Sequence, residues 1–161
     1  MKEPKMRVPP LALLAICAAL TAALANYLPM MTVSVPNWLM LLSLVAGIVF
    51  LLPAVVSFMR HKTTVSPLSP GDATTLVTDG VFNITRNPMY VGMLLILLAV
   101  VLWFEAVSGL FAVLLFIAII DSFQIRAEEK QLLGKFGKTY RDYTQRVPPW
   151  LIIRREVTNH E

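Results

Sequence analysis

Residues 38–59 read WLMLLSLVAGIVFLLPAVVSFM, a run without a charged side chain. An α-helix rises 1.5 Å per residue, so a helix of this length is about 33 Å long and can cross the roughly 30 Å hydrocarbon core of a bilayer. Pro53 lies inside the run and predicts a kink, because a proline removes one backbone hydrogen bond of the helix. We interpret this stretch as a membrane-spanning helix.

Three further apolar segments surround this run, at residues 9–31, 89–104 and 106–123. The last two are separated by so short a link that we expect an antiparallel hairpin. A single long helix is the alternative, but one crossing needs only about 20 residues. The sequence therefore predicts an all-α, polytopic integral membrane protein, with about four transmembrane helices in a single domain over residues 1–161.

The composition agrees with a membrane location. Only 15% of the residues are charged, whereas soluble domains carry about 25%. A cleaved signal peptide is the alternative for the first segment, since Lys2, Lys5 and Arg7 precede it. That segment is longer than a signal-peptide core of about 7–15 residues and has no convincing cleavage site of small residues. We expect it to be retained as a span.

The basic residues predict the orientation in the membrane. All 14 Lys and Arg lie before the first span, in a loop at residues 60–88, or in a tail at residues 124–161. By the positive-inside rule these parts are cytoplasmic. They are expected to contact anionic lipid, with no role in binding nucleic acid. The tail is expected to start as a helix, to break near Gly134 or Gly137, and to end in an aromatic segment at the membrane surface.

The run Arg86-Asn87-Pro88-Met89-Tyr90-Val91-Gly92 precedes and begins the third span. It reads as a helix start, because Asn suits the N-cap and Pro suits the first helical position. That interpretation leaves Tyr90 and Gly92 unexplained. The alternative is a binding site, in which free N–H groups of the helix start meet an anionic or polar ligand and Gly92 leaves room for it.

The run Arg126-Ala127-Glu128-Glu129 follows the fourth span. A solvated, charged turn is one interpretation. The other is that the two acids hold a positively charged group of a ligand. Because the hairpin brings the start of the third span beside the end of the fourth, the two runs together suit a ligand that has both a carboxylate and an ammonium group.

Metal and thiol chemistry have little support in the sequence. Cys17 is the single cysteine and lies in an Ala/Leu-rich run, where a cysteine packs as a small apolar residue. His61 and His160 are far apart in the chain. We expect no metal site and no disulfide.

A resemblance to a known family covers about residues 60–150. The strings LVTDGVF at residues 76–82 and RNPMYVG at residues 86–92 resemble the membrane isoprenylcysteine carboxyl methyltransferases and phospholipid methyltransferases. So do Glu128-Glu129-x-x-Leu132 and the run from Phe136 to Pro148. The resemblance implies methyl transfer that depends on S-adenosylmethionine, at the cytoplasmic ends of the helices. Carried over residue by residue, the cofactor-binding residues are Leu76, Val77, Arg86, Asn87, Tyr90, Val91, Glu128 and Glu129.

The same resemblance sets the expected chemistry. Many members have His where this chain has Asn87, and Asn cannot carry a proton, so we expect cofactor binding without acid–base catalysis there. Arg126 and Glu128 are the candidate catalytic residues, with Arg126 orienting an anionic acceptor. The acceptor implied is apolar or membrane-borne: a prenylcysteine-like carboxylate, a phospholipid amine or a small thiol.

Other classes of protein are less consistent with the sequence. The chain has no Gly-x-Gly-x-x-Gly and no alternation of strands and helices, which excludes a soluble Rossmann-type methyltransferase. A small membrane transport or binding protein would be expected to have ionisable residues near the middle of its spans, and the first three spans have none. A membrane reductase that uses a nicotinamide cofactor is the third alternative.

Overall fold

A computed structural model of the chain describes residues 9–28, 30–61 and 74–151. Every regular element in this part of the chain is helical. The α-helices are α1 (Pro10–Tyr27), α2 (Asn37–Arg60), α3 (Pro88–Phe104), α4 (Leu110–Ile119), α5 (Arg126–Phe136) and α6 (Lys138–Arg146). A 3₁₀ turn spans Gly80–Asn83, another spans Val107–Gly109, and a π-turn at Ile120–Ile125 joins α4 to α5.

The long helices suit a membrane. α1, α2 and the continuous helix Val107–Phe136 are long and apolar enough to cross it, and α3 is a shorter apolar helix of 17 residues. A helix can lie in lipid because its backbone polar groups bond within the helix itself. The prediction of an all-α membrane protein is confirmed, with three to four helices suited to spanning.

The first helix is shorter than the apolar segment predicted at residues 9–31. α1 ends at Tyr27, and Leu28 leaves helical geometry with φ −137° and ψ 57°. The next residue in the sequence is Pro29. A residue before proline disfavours the α conformation, which explains why the helix ends here.

Helix α3 is the centre of the bundle and packs against α1, α2 and α4. Its contact with α2 is close, since a Cβ on Gly47 would lie 2.8 Å from the carbonyl oxygen of Gly92 and a Cβ on Gly92 would lie 2.7 Å from that of Gly47. Ser43 Oγ donates to the carbonyl of Leu95 at 2.8 Å at the same contact. Gly92 is therefore needed for helix packing, and the space that we expected it to leave for a ligand is filled by α2.

The turn between α3 and α4 separates them into two helices. Glu105 ends α3 in the left-handed region with φ 52°. Its carbonyl accepts the N–H of Val33 at 2.8 Å, and its side-chain Oε1 accepts the N–H of Val35 at 3.0 Å. The loop before α2 and the turn after α3 thus lie together at one end of the bundle, as expected if successive helices alternate in direction.

The opposite end carries the charged helices. α5 contains five charged residues among its eleven and extends beyond the apolar stretch of α4. It ends at Gly137, whose φ of 52° suits glycine, while Gly134 remains inside the helix. α6 folds back against α5. Tyr140 and Tyr143 are buried inside the protein, at 2% and 3% exposure, so these two aromatic side chains pack against the protein, whereas we expected them at the membrane surface.

Candidate functional site

The site residues predicted from the sequence lie at the charged end of the bundle, around the start of α3 and along α5. Four of these residues belong to two separate groups of contacting side chains. We call Arg86, Glu129, Thr144 and Val147 the arginine cluster, and Tyr90, Gln124 and Glu128 the carboxylate cluster. The two clusters share the same turn of α5, because Glu128 and Glu129 are adjacent.

The arginine cluster is closed and almost fully buried. Arg86 Nη2 donates to Glu129 Oε1 at 2.6 Å, and the two side chains are 2% and 7% exposed. Arg86 Nη1 also donates to the carbonyls of Thr144 at 2.9 Å and Val147 at 2.8 Å. A single guanidinium therefore joins the start of α3 to α5, to α6 and to the segment after α6. A buried charge of this kind is tolerated because it is paired and hydrogen-bonded.

The start of α3 is covered by the segment that follows α6. Arg86 N donates to the carbonyl of Pro148 at 2.9 Å, while Thr85 Oγ1 and Asn87 Nδ2 donate to the carbonyl of Pro149 at 2.9 Å and 3.0 Å. Asn87 occupies the N-cap position, but its side chain makes no capping bond to the helix. The predicted helix start is confirmed, with Asn87 at the N-cap and Pro88 at the first helical position, but the Asn87 amide bonds to Pro149 and does not cap the helix.

The carboxylate cluster is built on one oxygen of Glu128. The Tyr90 hydroxyl donates to Oε1 at 2.5 Å, and Gln124 Nε2 donates to the same atom at 2.7 Å. Within the described residues no hydrogen bond reaches Oε2 of Glu128. Burial raises the pKa of Glu128 to about 7; the bonds from Tyr90 and Gln124 oppose this rise, and the neighbouring charge of Glu129 adds to it.

Gln124 was not among the predicted site residues. It lies in the π-turn and is 4% exposed. The signal available in the sequence was its position four residues before Glu128, where side chains on a helix are neighbours. That spacing is common on solvated helices, so it does not by itself single out Gln124.

The apolar residues carried over from the resemblance lie in three different contacts. Leu76 packs against the buried group formed by Leu133, Tyr140, Tyr143 and Val147. Val77 is buried with Ala54 and Phe82. Val91 is 2% exposed and belongs to the core of the bundle. The Tyr143 hydroxyl donates to the carbonyl of Phe82 at 2.7 Å and ties this loop to α6.

Arg126 lies at the edge of the two clusters. Its side chain is 63% exposed, and its Nη2 is 3.7 Å from Asp121 Oδ2. Asp121 Oδ1 accepts the indole N–H of Trp150 at 3.1 Å, and Trp150 packs into the core of the bundle. The structure shows Arg126 in contact with Asp121. Its role in orienting an anionic acceptor remains a prediction.

The chain is similar to known proteins over more than half of its length. A family model described as phospholipid methyltransferase matches residues 35–139, more than half of the chain, including every predicted site residue. The chain is also 48% identical over 63 residues to an uncharacterized protein of Haemophilus influenzae, an alignment that covers 39% of this chain and all of that protein. No solved structure matches the chain with significance.

Proposed function

Because this chain belongs to the phospholipid methyltransferase family, we propose that it transfers a methyl group from S-adenosylmethionine to a membrane-borne or apolar acceptor. The observation that carries the proposal is the carboxylate of Glu128. Tyr90 and Gln124 both donate to its Oε1, and Oε2 has no hydrogen bond within the described residues. A partly buried carboxylate oxygen without a hydrogen bond suits the cationic groups of S-adenosylmethionine. A charge that is removed from water is stabilised when it pairs with the opposite charge.

The residues of the site divide into two proposed roles. Glu128 and Tyr90 would hold the cofactor, with the carboxylate of Glu128 as the partner of its cationic group. Arg86 and Glu129 hold the start of α3 against α5 and α6, which is supported by their bond at 2.6 Å. The sequence predicts that Glu129 binds the ligand as well, but its carboxylate accepts from Arg86, so we assign it to positioning.

Positioning is the main contribution that this chain makes to the reaction. Bound S-adenosylmethionine supplies a methyl group that is already activated by its sulfonium charge. Holding two reactants in the right geometry accounts for much of the rate in reactions of this kind. Leu76 and Val77 would form an apolar wall beside the site, and the segment 147–151 would limit the access of water.

The acceptor is proposed to arrive from the bilayer. Tyr90 lies in the first turn of α3, and Glu128 lies just beyond the apolar part of the helix that continues α4. The two reactants would therefore meet near the membrane surface. Arg126, exposed at this end, remains the candidate for orienting an anionic group of the acceptor.

We propose that this end of the bundle faces the cytoplasm. The charged helices α5 and α6 carry most of the Lys and Arg of the described residues, and the remaining two, Arg60 and Arg86, lie at the end of α2 and before α3. The loops at the other end contain no Lys or Arg. The positive-inside rule therefore assigns the charged end to the cytoplasm.

Calorimetry on the purified protein tests the proposed function. S-adenosylmethionine and S-adenosylhomocysteine should bind, and NADPH, the ligand expected of a reductase, should not. Glu128→Gln should weaken binding of S-adenosylmethionine about tenfold to a hundredfold, the effect of losing one charge-assisted hydrogen bond. The matched control is Glu105→Gln, the same change at the opposite end of the bundle, which should leave the affinity unchanged. Binding of NADPH alone would overturn the assignment.

A further inference from the structure

The helix that runs from α4 into α5 is interrupted by an unusual turn. Residues Ile120–Ile125 form a π-turn. Such a turn inserts an additional residue into an α-helix and is frequent at functional sites. Its sequence, IDSFQI, has no glycine or proline.

The π-turn determines which side of α5 faces the protein. Buried positions recur every four residues on both sides of the turn, at Ala112, Phe116 and Ile120 before it and at Ile125, Glu129 and Leu133 after it. Within the turn two adjacent residues, Gln124 and Ile125, are both buried, and the repeat continues from Ile125. An uninterrupted repeat of four would continue from Ile120 to positions 124, 128 and 132. The additional residue thus brings Glu129, and not Glu128, onto this buried face, where it meets Arg86.

Gln124 is the residue through which the π-turn contacts the site. Its side chain is buried, and its Nε2 donates to Glu128 Oε1 at 2.7 Å, the atom that also accepts the Tyr90 hydroxyl at 2.5 Å. Two donors on one oxygen fix the rotation of the carboxylate and leave Oε2 as its remaining acceptor. An amide nitrogen donates and does not accept, so it favours the ionised form of Glu128.

We propose that Gln124 is a positioning residue, which keeps Glu128 ionised and turned toward the cationic group of the cofactor. This inference rests on the proposed function. Gln124 acts through Glu128 and through Tyr90, to which its side chain also bonds, and it need not touch the cofactor. A merely structural Gln124 would stabilise the fold without affecting the charge of Glu128.

The other charged and titratable groups that face Glu128 come from three elements. Tyr90 faces it from α3, Glu129 is its neighbour on α5, and the Tyr140 hydroxyl on α6 is also within its field. Glu129 raises the pKa of Glu128, and Glu129 itself forms an ion pair with Arg86. Removing the Gln124 amide therefore removes its bond to Glu128 and its bond to Tyr90, while the charges of Glu129 and Arg86 stay in place.

The test compares Gln124→Met with wild type in two measurements. Met has a similar volume and no donor. Infrared titration of the carboxyl group, identified by its absence in Glu128→Gln, follows the protonation of Glu128 without any ligand. We expect a midpoint near pH 7 in wild type and a midpoint about one pH unit higher in Gln124→Met, about a tenfold change in the protonation equilibrium. Calorimetry with S-adenosylmethionine should show binding that is about tenfold weaker at pH 6, with a smaller difference at pH 8.5.

The matched control is Gln145→Met, the same change at an exposed position of α6, which should change neither the infrared midpoint nor the affinity for S-adenosylmethionine. If Gln124→Met fails to fold, Gln124→Asn, whose amide is one methylene shorter, should give the same shift. An unchanged infrared midpoint in the folded variant would overturn the role of Gln124, even if wild type binds the cofactor. Absence of S-adenosylmethionine binding to wild type at every pH would instead overturn the proposed function, and with it the cofactor as the target of Glu128.

Discussion

Glu128 and Glu129 are adjacent on α5, yet their carboxylates have different surroundings. Glu129 is 5% exposed and is held by Arg86 in a cluster that also binds two backbone carbonyls. Glu128 accepts two bonds on one oxygen and, within the described residues, none on the other. We propose that the closed ion pair stabilises the fold, whereas the carboxylate of Glu128, with one oxygen left as an acceptor, binds a ligand. The comparison between the two clusters gives each acid a separate measurable role.

The largest effect is expected in the arginine cluster. Arg86→Met leaves the carboxylate of Glu129 buried without its charged partner, so the free energy of unfolding should fall by about 3–5 kcal/mol. Thermal or denaturant unfolding in detergent measures it. Arg126→Met is the control, since its ion pair is exposed and its loss should change stability by less than about 1 kcal/mol. Equal, small changes in both variants would contradict a structural role for the cluster.

A smaller effect is expected from the ionisation of Glu128. Its pKa is about 7 in the folded protein, against 4.5 for the ordinary carboxyl. Because its pKa is raised, the folded protein favours the protonated form of Glu128. The stability that this provides is complete below about pH 4.5 and is lost as the pH rises toward about 7. The free energy of unfolding should fall over this window by roughly 3 kcal/mol more in wild type than in Glu128→Gln. If the free energy of unfolding changed with pH in the same way in wild type and in Glu128→Gln, the carboxyl group would not be desolvated.

The smallest effect is expected from single hydroxyl groups. Tyr90→Phe removes one donor to Glu128 and should weaken S-adenosylmethionine binding about twofold to tenfold, with little change in melting temperature. Tyr143→Phe is its counterpart on the side of the arginine cluster, because that hydroxyl bonds to the carbonyl of Phe82. It should lower stability and leave the affinity as it is. If Tyr143→Phe weakens binding as much as Tyr90→Phe, the two clusters do not act separately.

The sequence predicts the membrane helices well because their physical cause is local. An apolar run such as residues 38–59 has to be buried in lipid or protein, and the structure has α2 at Asn37–Arg60. Helix ends are also local where a proline follows, as at Leu28. The position of the break after α5 follows from Gly137, although the sequence offered Gly134 as an equal candidate.

The separate partners of the two acids in the site could not be predicted from the local sequence in this way. The motifs indicated Arg86, Glu128 and Glu129 as one group, since charge alone does not tell which acid meets which partner. That choice depends on the phase of α5, which the π-turn sets with a single additional residue. The cover over the start of α3 likewise depends on the path of residues 147–150 in three dimensions, and the aromatic pattern of the tail was compatible with an interfacial segment as well.

The central claim is that the two neighbouring acids have separate roles, and one paired measurement tests it most directly. Glu128→Gln and Glu129→Gln are compared for both melting temperature and calorimetric affinity for S-adenosylmethionine at pH 8. We predict that Glu128→Gln loses about tenfold to a hundredfold in affinity while remaining folded. Glu129→Gln should melt at a clearly lower temperature but bind nearly as wild type at temperatures where it is folded. The reverse result, or equal losses of affinity in two folded variants, would contradict the account.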